Sequence, residues 1–185
     1  SASEIKPGDA ILMTKTAGIE GTGIIACDYE EELREVLSGE ELEHAKSLLS
    51  KVSVVKDGII AGRIGTHGMH DVTEGGILGA VWEMCSIAGT GARLDAEAIP
   101  ADDVTRRICE HYDINMLRLI SSGSMLIMTE EDKKEEIIRE LAAQGIPAAQ
   151  IGKIVPKEEG LSICEGGKQT QIDPPGPDEL YKIVK

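Results

Sequence analysis

The chain contains no phenylalanine, and aromatic residues make up only 2% of its 185 positions. Rings of that kind form the stacking platforms on which proteins hold nucleic-acid bases, so that function class loses its usual apparatus. Positive charge is also scarce. Against 33 Asp and Glu stand 19 Lys and Arg, a formal net charge of −14 that repels nucleic-acid backbones and anionic membranes. No apolar run approaches the ~20 residues that span a bilayer. The first residues lack the basic-then-apolar form of a secretory signal. Four cysteines, Cys27, Cys85, Cys109 and Cys164, lie far apart with no CxxC pair. Cys85 and Cys109 fall in helical apolar patterns, where a thiol behaves as a small hydrophobe. These features together predict a reduced, cytoplasmic protein.

What is present is globular. Hydrophobic residues make up 41% of the chain, enough for one domain whose core is built from Ile, Leu, Val, Ala and Met. Ala10 to Thr16 and Ser124 to Thr129 read as buried strands. Ala92 to Leu94, Ala149 to Val155, Leu161 to Cys164 and Thr170 to Ile172 read as short ones. The spacing predicts helices over Tyr29 to Leu49, broken at Ser38-Gly39. A helix is expected from Asp102-Asp103, with Val104, Ile108 and Tyr112 on one face. Glu130 to Gln144 reads as a helix with Ile137, Ile138 and Leu141 inside, stopped by Gly145. Val52 to Ile64 is amphipathic, with strand left open by its valines. Asp173 to Pro177 is extended, before a last turn over Asp178 to Val184. Interspersed strands and helices predict an α/β (mixed α+β) fold with a mixed sheet flanked by helices.

Two passages are rich in glycine. In Ala17 to Gly23, AGIEGTG, no Lys-Ser/Thr follows and the spacing is not GxGxxG, so close packing is the expectation. The second, Thr66 to Glu83, THGMHDVTEGGILGAVWE, is more informative. An extended run turns through Asp71, Thr73 and Gly75-Gly76, and then Ile77, Val81 and Met84 recur at helical spacing. Thr73 stands where an N-cap would. Unpaired N–H groups and the positive dipole end at a helix start make an anion site, and glycine lets a ligand approach the backbone. Two readings stay open here: a phosphate cradle, or a capped turn in which the glycines ease helix–strand packing. His67 and His70, three apart, read as capping or packing residues, since no Cys or third His lies at ligand spacing.

Four segments, KPGDAILMTKTAGIEGTGIIA, HGMHDVTEGGILGAVWEM, LISSGSMLIM and IGKIV, occur in the order found in the AIR (aminoimidazole ribonucleotide) synthase superfamily. The chain resembles its C-terminal domain over nearly its whole length. The DVTEGG form and the ending most resemble the hydrogenase-maturation branch and the AIR-synthase-related proteins. The resemblance implies that residues 1–28 are an interdomain linker strand and helix start, and that 29–185 are the C-terminal domain. It implies that an N-terminal domain that binds ATP and dimerises is absent, so that the chain reads as part of a longer, homodimeric protein and is inactive alone. It favours the cradle, with Asp71, Thr73, Glu74, Gly75 and Gly76 at the phosphates of a nucleotide or small-molecule substrate. His70 would line the cleft, and Ser121, Ser122 and Gly123 would form a wall. ATP and Mg2+ are the implied cofactors; Asp71 and Glu74, acidic beside an anion, would cap the helix or help carry the ion.

The expected function is ATP-dependent activation of a substrate oxygen by phosphorylation. The competing expectation is a non-catalytic binding or assembly module that keeps the fold. One departure bears on the choice. The branch that makes the cyanide ligands of hydrogenase ends in a cysteine that accepts a carbamoyl group, and this chain ends Tyr181-Lys182-Ile183-Val184-Lys185 without one.

Overall fold

In a computed structural model that describes residues 2–184, one mixed sheet runs through the molecule. Its strands are β1 (Ala10–Thr14), β2 (Gly68–Asp71), β3 (Gly91–Asp95), β4 (Met125–Thr129), β5 (Ala148–Val155), β6 (Leu161–Glu165) and β7 (Lys168–Gln171), in the order β2-β4-β1-β5-β3-β6-β7. Every neighbouring pair is antiparallel except β3 with β6. The helices are α1 (Ile19–Asp28), α2 (Glu30–Leu33), α3 (Gly39–Ser47), α4 (Val55–Ile64), α5 (Gly76–Ala88), α6 (Asp103–Tyr112) and α7 (Lys134–Ala143).

The run AILMT of β1 is apolar without alternation because both faces of that central strand are covered, and all five residues are buried. Successive side chains point to opposite faces. Ile11 and Met13 therefore join Ile77, Val81 and Met84 of α5, while Ala10 and Leu12 join Ala61 of α4 and Ile137 and Leu141 of α7. A third cluster, with Ile25, Leu33, Leu42, Leu48, Ile108 and Leu119, binds α1, α2, α3 and α6 beside the sheet. The glycines of the first passage serve that packing. A Cβ on Gly21 would overlap the Leu119 side chain, and one on Gly23 would overlap Leu49.

Several predicted features shift. Val52 to Ile64 resolves as helix from Val55. Glu130 to Lys133 is a turn rather than helix, so α7 begins at Lys134; Ile137 and Leu141 are buried as the periodicity requires. Gly145 does end it, in left-handed backbone at φ 76°. The α2–α3 break is set by a capping box: the Glu41 amide donates to Ser38 Oγ at 3.1 Å, and the Ser38 amide donates to Glu41 Oε1 at 2.9 Å. Asp102 caps α6 through the Val104 amide. Cys85 and Cys109 are buried on helices, and burial raises both thiols, Cys109 to about 12 with Glu179 and Glu110 adding to the effect. Among the described residues no helix is long and apolar enough to cross a membrane.

Candidate functional site

The ends of β1 and β2 and the start of β4 meet at one edge of the sheet. Asp71 lies opposite Met125, and Met13 opposite Leu126. Register therefore brings three loops together: Lys15–Gly18, Val72–Gly75 and Ile120–Ser124. Backbone and hydroxyl hydrogen bonds sew them. The Gly18 amide donates to Ser121 Oγ at 2.9 Å, the Ser121 amide to the Thr73 carbonyl at 3.3 Å, and the Val72 amide to the Ser124 carbonyl at 3.0 Å. Ser124 Oγ donates to the Thr16 carbonyl at 2.7 Å and lies 3.0 Å from Ser121 Oγ. Ser121 is fully buried in this network. Ser122 is half-buried, and a Cβ on Gly123 would overlap the Lys51 carbonyl.

The turn into α5 uses its glycines for backbone shape and close packing. Gly75 has φ 85° and Gly76 φ 65°, the left-handed region that side chains disfavour. At Gly76 a Cβ would stand 2.5 Å from the Leu117 carbonyl and 2.8 Å from that of Leu119. The predicted cap does not form. Gly75 is the N-cap residue and no side chain of the turn caps the helix, because two left-handed residues separate Thr73 from the first helical turn. Thr73 is exposed, and its carbonyl accepts from the Gly76 and Ser121 amides. Glu74 does not cap either; its Oε1 accepts from Tyr181 Oη at 3.0 Å, and that carboxylate raises the Tyr181 phenol above its ordinary value. Asp71 is exposed at the end of β2. Among the described residues no group of three or more His, Cys, Asp or Glu is placed to hold a metal ion.

The group at the helix start comes from elsewhere. Asp178, 4% exposed, accepts from the Gly75 amide at 2.7 Å through Oδ2. Its Oδ1 accepts from the Ile120 amide at 3.1 Å and the Leu180 amide at 2.9 Å. Residues 173–183 lie along this edge: Arg118 donates to the Asp173 carbonyl, Glu179 accepts from the Asn115 amide, and Tyr29 Oη donates to the Ile183 carbonyl at 2.8 Å. The Gly75 amide of the turn thus joins the Ile120 and Leu180 amides in binding a carboxylate, an anion contact of the kind a helix start favours. Sequence reasoning found the last turn at Asp178 but not its distant target, which lies 103 positions back and leaves no local periodicity.

The two histidines are held by carboxylates. His67 Nδ1 lies 2.7 Å from Asp9 Oδ2 and its Nε2 3.3 Å from Glu130 Oε1. His70 Nε2 lies 3.1 Å from Glu83 on α5, and its Nδ1 contacts the Asp71 carbonyl. Each ring thus has both nitrogens engaged by protein oxygens. Lys15 was not singled out by the sequence, yet its backbone is left-handed at φ 59°.

Residues 6–164 match the family described as AIR synthase related protein, C-terminal domain. This chain belongs to that family. It is similar to carbamoyl dehydratase HypE of Rhizobium leguminosarum bv. viciae, 26% identical over 157 residues that make up 81% of this chain and 41% of that protein. Among solved structures, E. coli HypE, a hydrogenase maturation protein, superposes with a TM-score of 0.81 at 22% identity, over all of this chain and 55% of that one. A HypE structure in complex with ATP superposes with a TM-score of 0.70 at 20% identity, again over all of this chain and 55% of the other. At those identities the structural likeness establishes the fold. The chain spans about half the length of the relatives it matches.

Proposed function

We propose that this chain is the C-terminal, phosphate-binding half of an ATP-dependent enzyme that activates a substrate oxygen by phosphorylating it. The observation that carries the reading is the Asp178 carboxylate held by the Gly75 and Ile120 amides: the turn at the start of α5 accepts an anion. A phosphoryl group presents the same charged oxygens, and fixed N–H donors stabilise charge on a group in transfer without reorganising. In this reading Asp178 holds the place of a phosphate and leaves when one binds. Gly75, Gly76, Thr73, Ser121, Ser122 and Gly123 then border the phosphate or substrate, with His70, Asp71 and Glu74 at the rim. ATP brings its chemistry to the site; Mg2+ accompanies it, held by groups outside this chain. The HypE–ATP complex and the family membership support nucleotide use. The stretch ahead of β1 serves as the link to an ATP-binding, dimer-forming half, in a cytoplasmic homodimer that acts on a small molecule, whereas β1 and α1, within residues 1–28, belong to this domain's own sheet and core.

A non-catalytic module is the second reading, and Asp178 filling the turn is the observation in its favour. ADP release by the full-length protein with Mg-ATP, compared with Gly75→Val, separates the two. At φ 85° a valine is strained, and its branched side chain stands beside the amide that binds the anion, so it distorts the turn. The enzyme reading expects turnover in the parent and a loss of at least about 100-fold in the variant, the scale of removing one such donor. Turnover that survives the valine removes the turn from the mechanism. No ADP formation in the folded parent favours the module.

A further inference from the structure

A second feature of the molecule stands apart from the glycine-rich turn. A cleft of about 510 Å³ opens between the start of α1, the turn at 48–51, the first turn of α4 and the turn between α7 and β5. None of Thr73–Gly76 or Ser121–Gly123 lines it. At one side lies a buried ion pair, with Lys15 Nζ 3.1 Å from Asp57 Oδ2 and the Asp57 side chain 1% exposed. The remaining ammonium hydrogens of Lys15 go to the Ser53 carbonyl at 2.9 Å and the Gly123 carbonyl at 2.8 Å. Lys15 also has left-handed backbone at φ 59°, a conformation that costs a residue with a side chain and that gathers at ligand clamps.

The charges around the cleft do not cancel. Asp57 is neutralised by Lys15, and Asp102 faces His44 at 2.6 Å. Lys51 and Lys56 also line the cleft, and among the described residues neither makes an ion pair or a side-chain hydrogen bond. Two lysines without an ion-pair partner thus line one cleft of a chain whose net charge is −14. The apolar part of the lining is Ile19, Leu48, Val55 and Ile146. Ligand sites combine such an apolar wall with a few polar groups that fix orientation, and lysine ammonium acts on an anion as a mobile point charge.

We propose that this cleft is a binding site for a small molecule that joins an anionic head, carboxylate or phosphate, to an apolar body. Lys51 and Lys56 hold the head, and the aliphatic wall takes the body. The proposal does not rest on the phosphoryl-transfer reading, although the two sites adjoin: Lys15 donates to the Gly123 carbonyl, Ser124 Oγ donates to the Thr16 carbonyl, and the Gly123 backbone lies against that of Lys51.

The test is a titration of the ¹⁵N-labelled chain with phenyl phosphate, benzoate and inorganic phosphate, followed by amide shifts. Phenyl phosphate or benzoate is expected to move Ile19, Ser50 to Asp57 and Ile146, and whichever binds more tightly identifies the head. Inorganic phosphate, without an apolar body, is expected to bind there about 10-fold more weakly or not at all. Lys51→Glu/Lys56→Glu is expected to weaken the aromatic probes by at least about 10-fold, whereas Lys157→Glu, on the distant turn before β6, leaves them unchanged. Both lysines of the pair are exposed, so the double variant folds, as circular dichroism would verify. Shifts elsewhere, above all at Thr73 to Gly76, would overturn the location. Unchanged affinity in the double variant, or no binding up to about 10 mM, would overturn the site itself.

Discussion

Replacing Gly76 with alanine tests how closely the turn at the start of α5 is packed against the 116–120 segment. Gly76 has φ 65°, and a Cβ there would lie 2.5 Å from the Leu117 carbonyl, 2.8 Å from the Leu119 carbonyl and 2.9 Å from the Arg118 carbonyl carbon. All three are backbone atoms of the 3₁₀ turn Met116–Arg118 and its exit, so no side chain can swing aside. Two costs therefore combine. Left-handed backbone costs an L-residue roughly 1–2 kcal/mol, and overpacking against rigid neighbours costs about 1–3 kcal/mol. Their sum, about 2–5 kcal/mol, is a large part of the stability of an ordinary domain. Urea unfolding followed by circular dichroism would read it as a lower midpoint at unchanged slope. A loss under about 1 kcal/mol would mean that the turn and the 116–120 segment separate easily, and the reasoning from close approach would fail. Gly75→Ala serves as the internal comparison. Its backbone is equally left-handed, but its Cβ meets nothing nearer than 3.7 Å, so only the conformational part of the cost, roughly 1–2 kcal/mol, should appear.

The remaining predictions concern the bundle and its thiols. Ser38→Ala removes one half of the capping box and should cost about 1 kcal/mol in the same urea assay, since the Glu41 amide loses its acceptor. With burial raising Cys109 to about 12, the folded state keeps a proton that an unfolded thiol releases above its ordinary value of 9.0. Stability must therefore fall as pH rises from about 9 towards 12, and Cys109→Ala should reduce that slope in thermal melts. Tyr112, raised to about 12 chiefly by burial and by Glu32, adds to the same alkaline loss above 10.0. A thiol-reactive reagent at neutral pH should modify exposed Cys27 first and leave buried Cys85 and Cys109 until the chain opens, as peptide mass mapping would record.

Much of the scaffold is written in local pattern. The unbroken apolar runs of β1 and β4 announce strands buried on both faces, and the glycine pair at 75 and 76 announces the turn into α5. Family-specific segment order adds the fold. Where the sequence misleads, a longer-range contact decides. Thr73 looks like an N-cap because hydroxyls often are, but two left-handed residues move the helix start past it. The real acceptor, Asp178, lies in a proline-rich tail whose docking depends on Ile120, Asn115 and Tyr29, positions that no periodicity connects. Glu130 to Lys133 has helical composition yet forms a turn, with Glu130 turned towards His67 across the sheet edge. Lys15 is unremarkable in sequence, and only the fold sets it against Asp57, 42 positions away.

The central claim is that the start of α5 is an anion site now filled by the chain's own carboxylate. It is tested most directly by phosphate titration of the ¹⁵N-labelled chain and of Asp178→Ala. Removing the carboxylate leaves the Gly75 and Ile120 amides without an acceptor, at a cost of about 1–3 kcal/mol for each that stays buried. The account predicts that phosphate restores that loss: Gly75 and Ile120 amides shift on titration, and binding is at least about 10-fold tighter in the variant than in the parent. If the variant folds and those amides do not respond to phosphate, Asp178 is a structural cap only, and the cradle at Gly75-Gly76 is not a phosphate site.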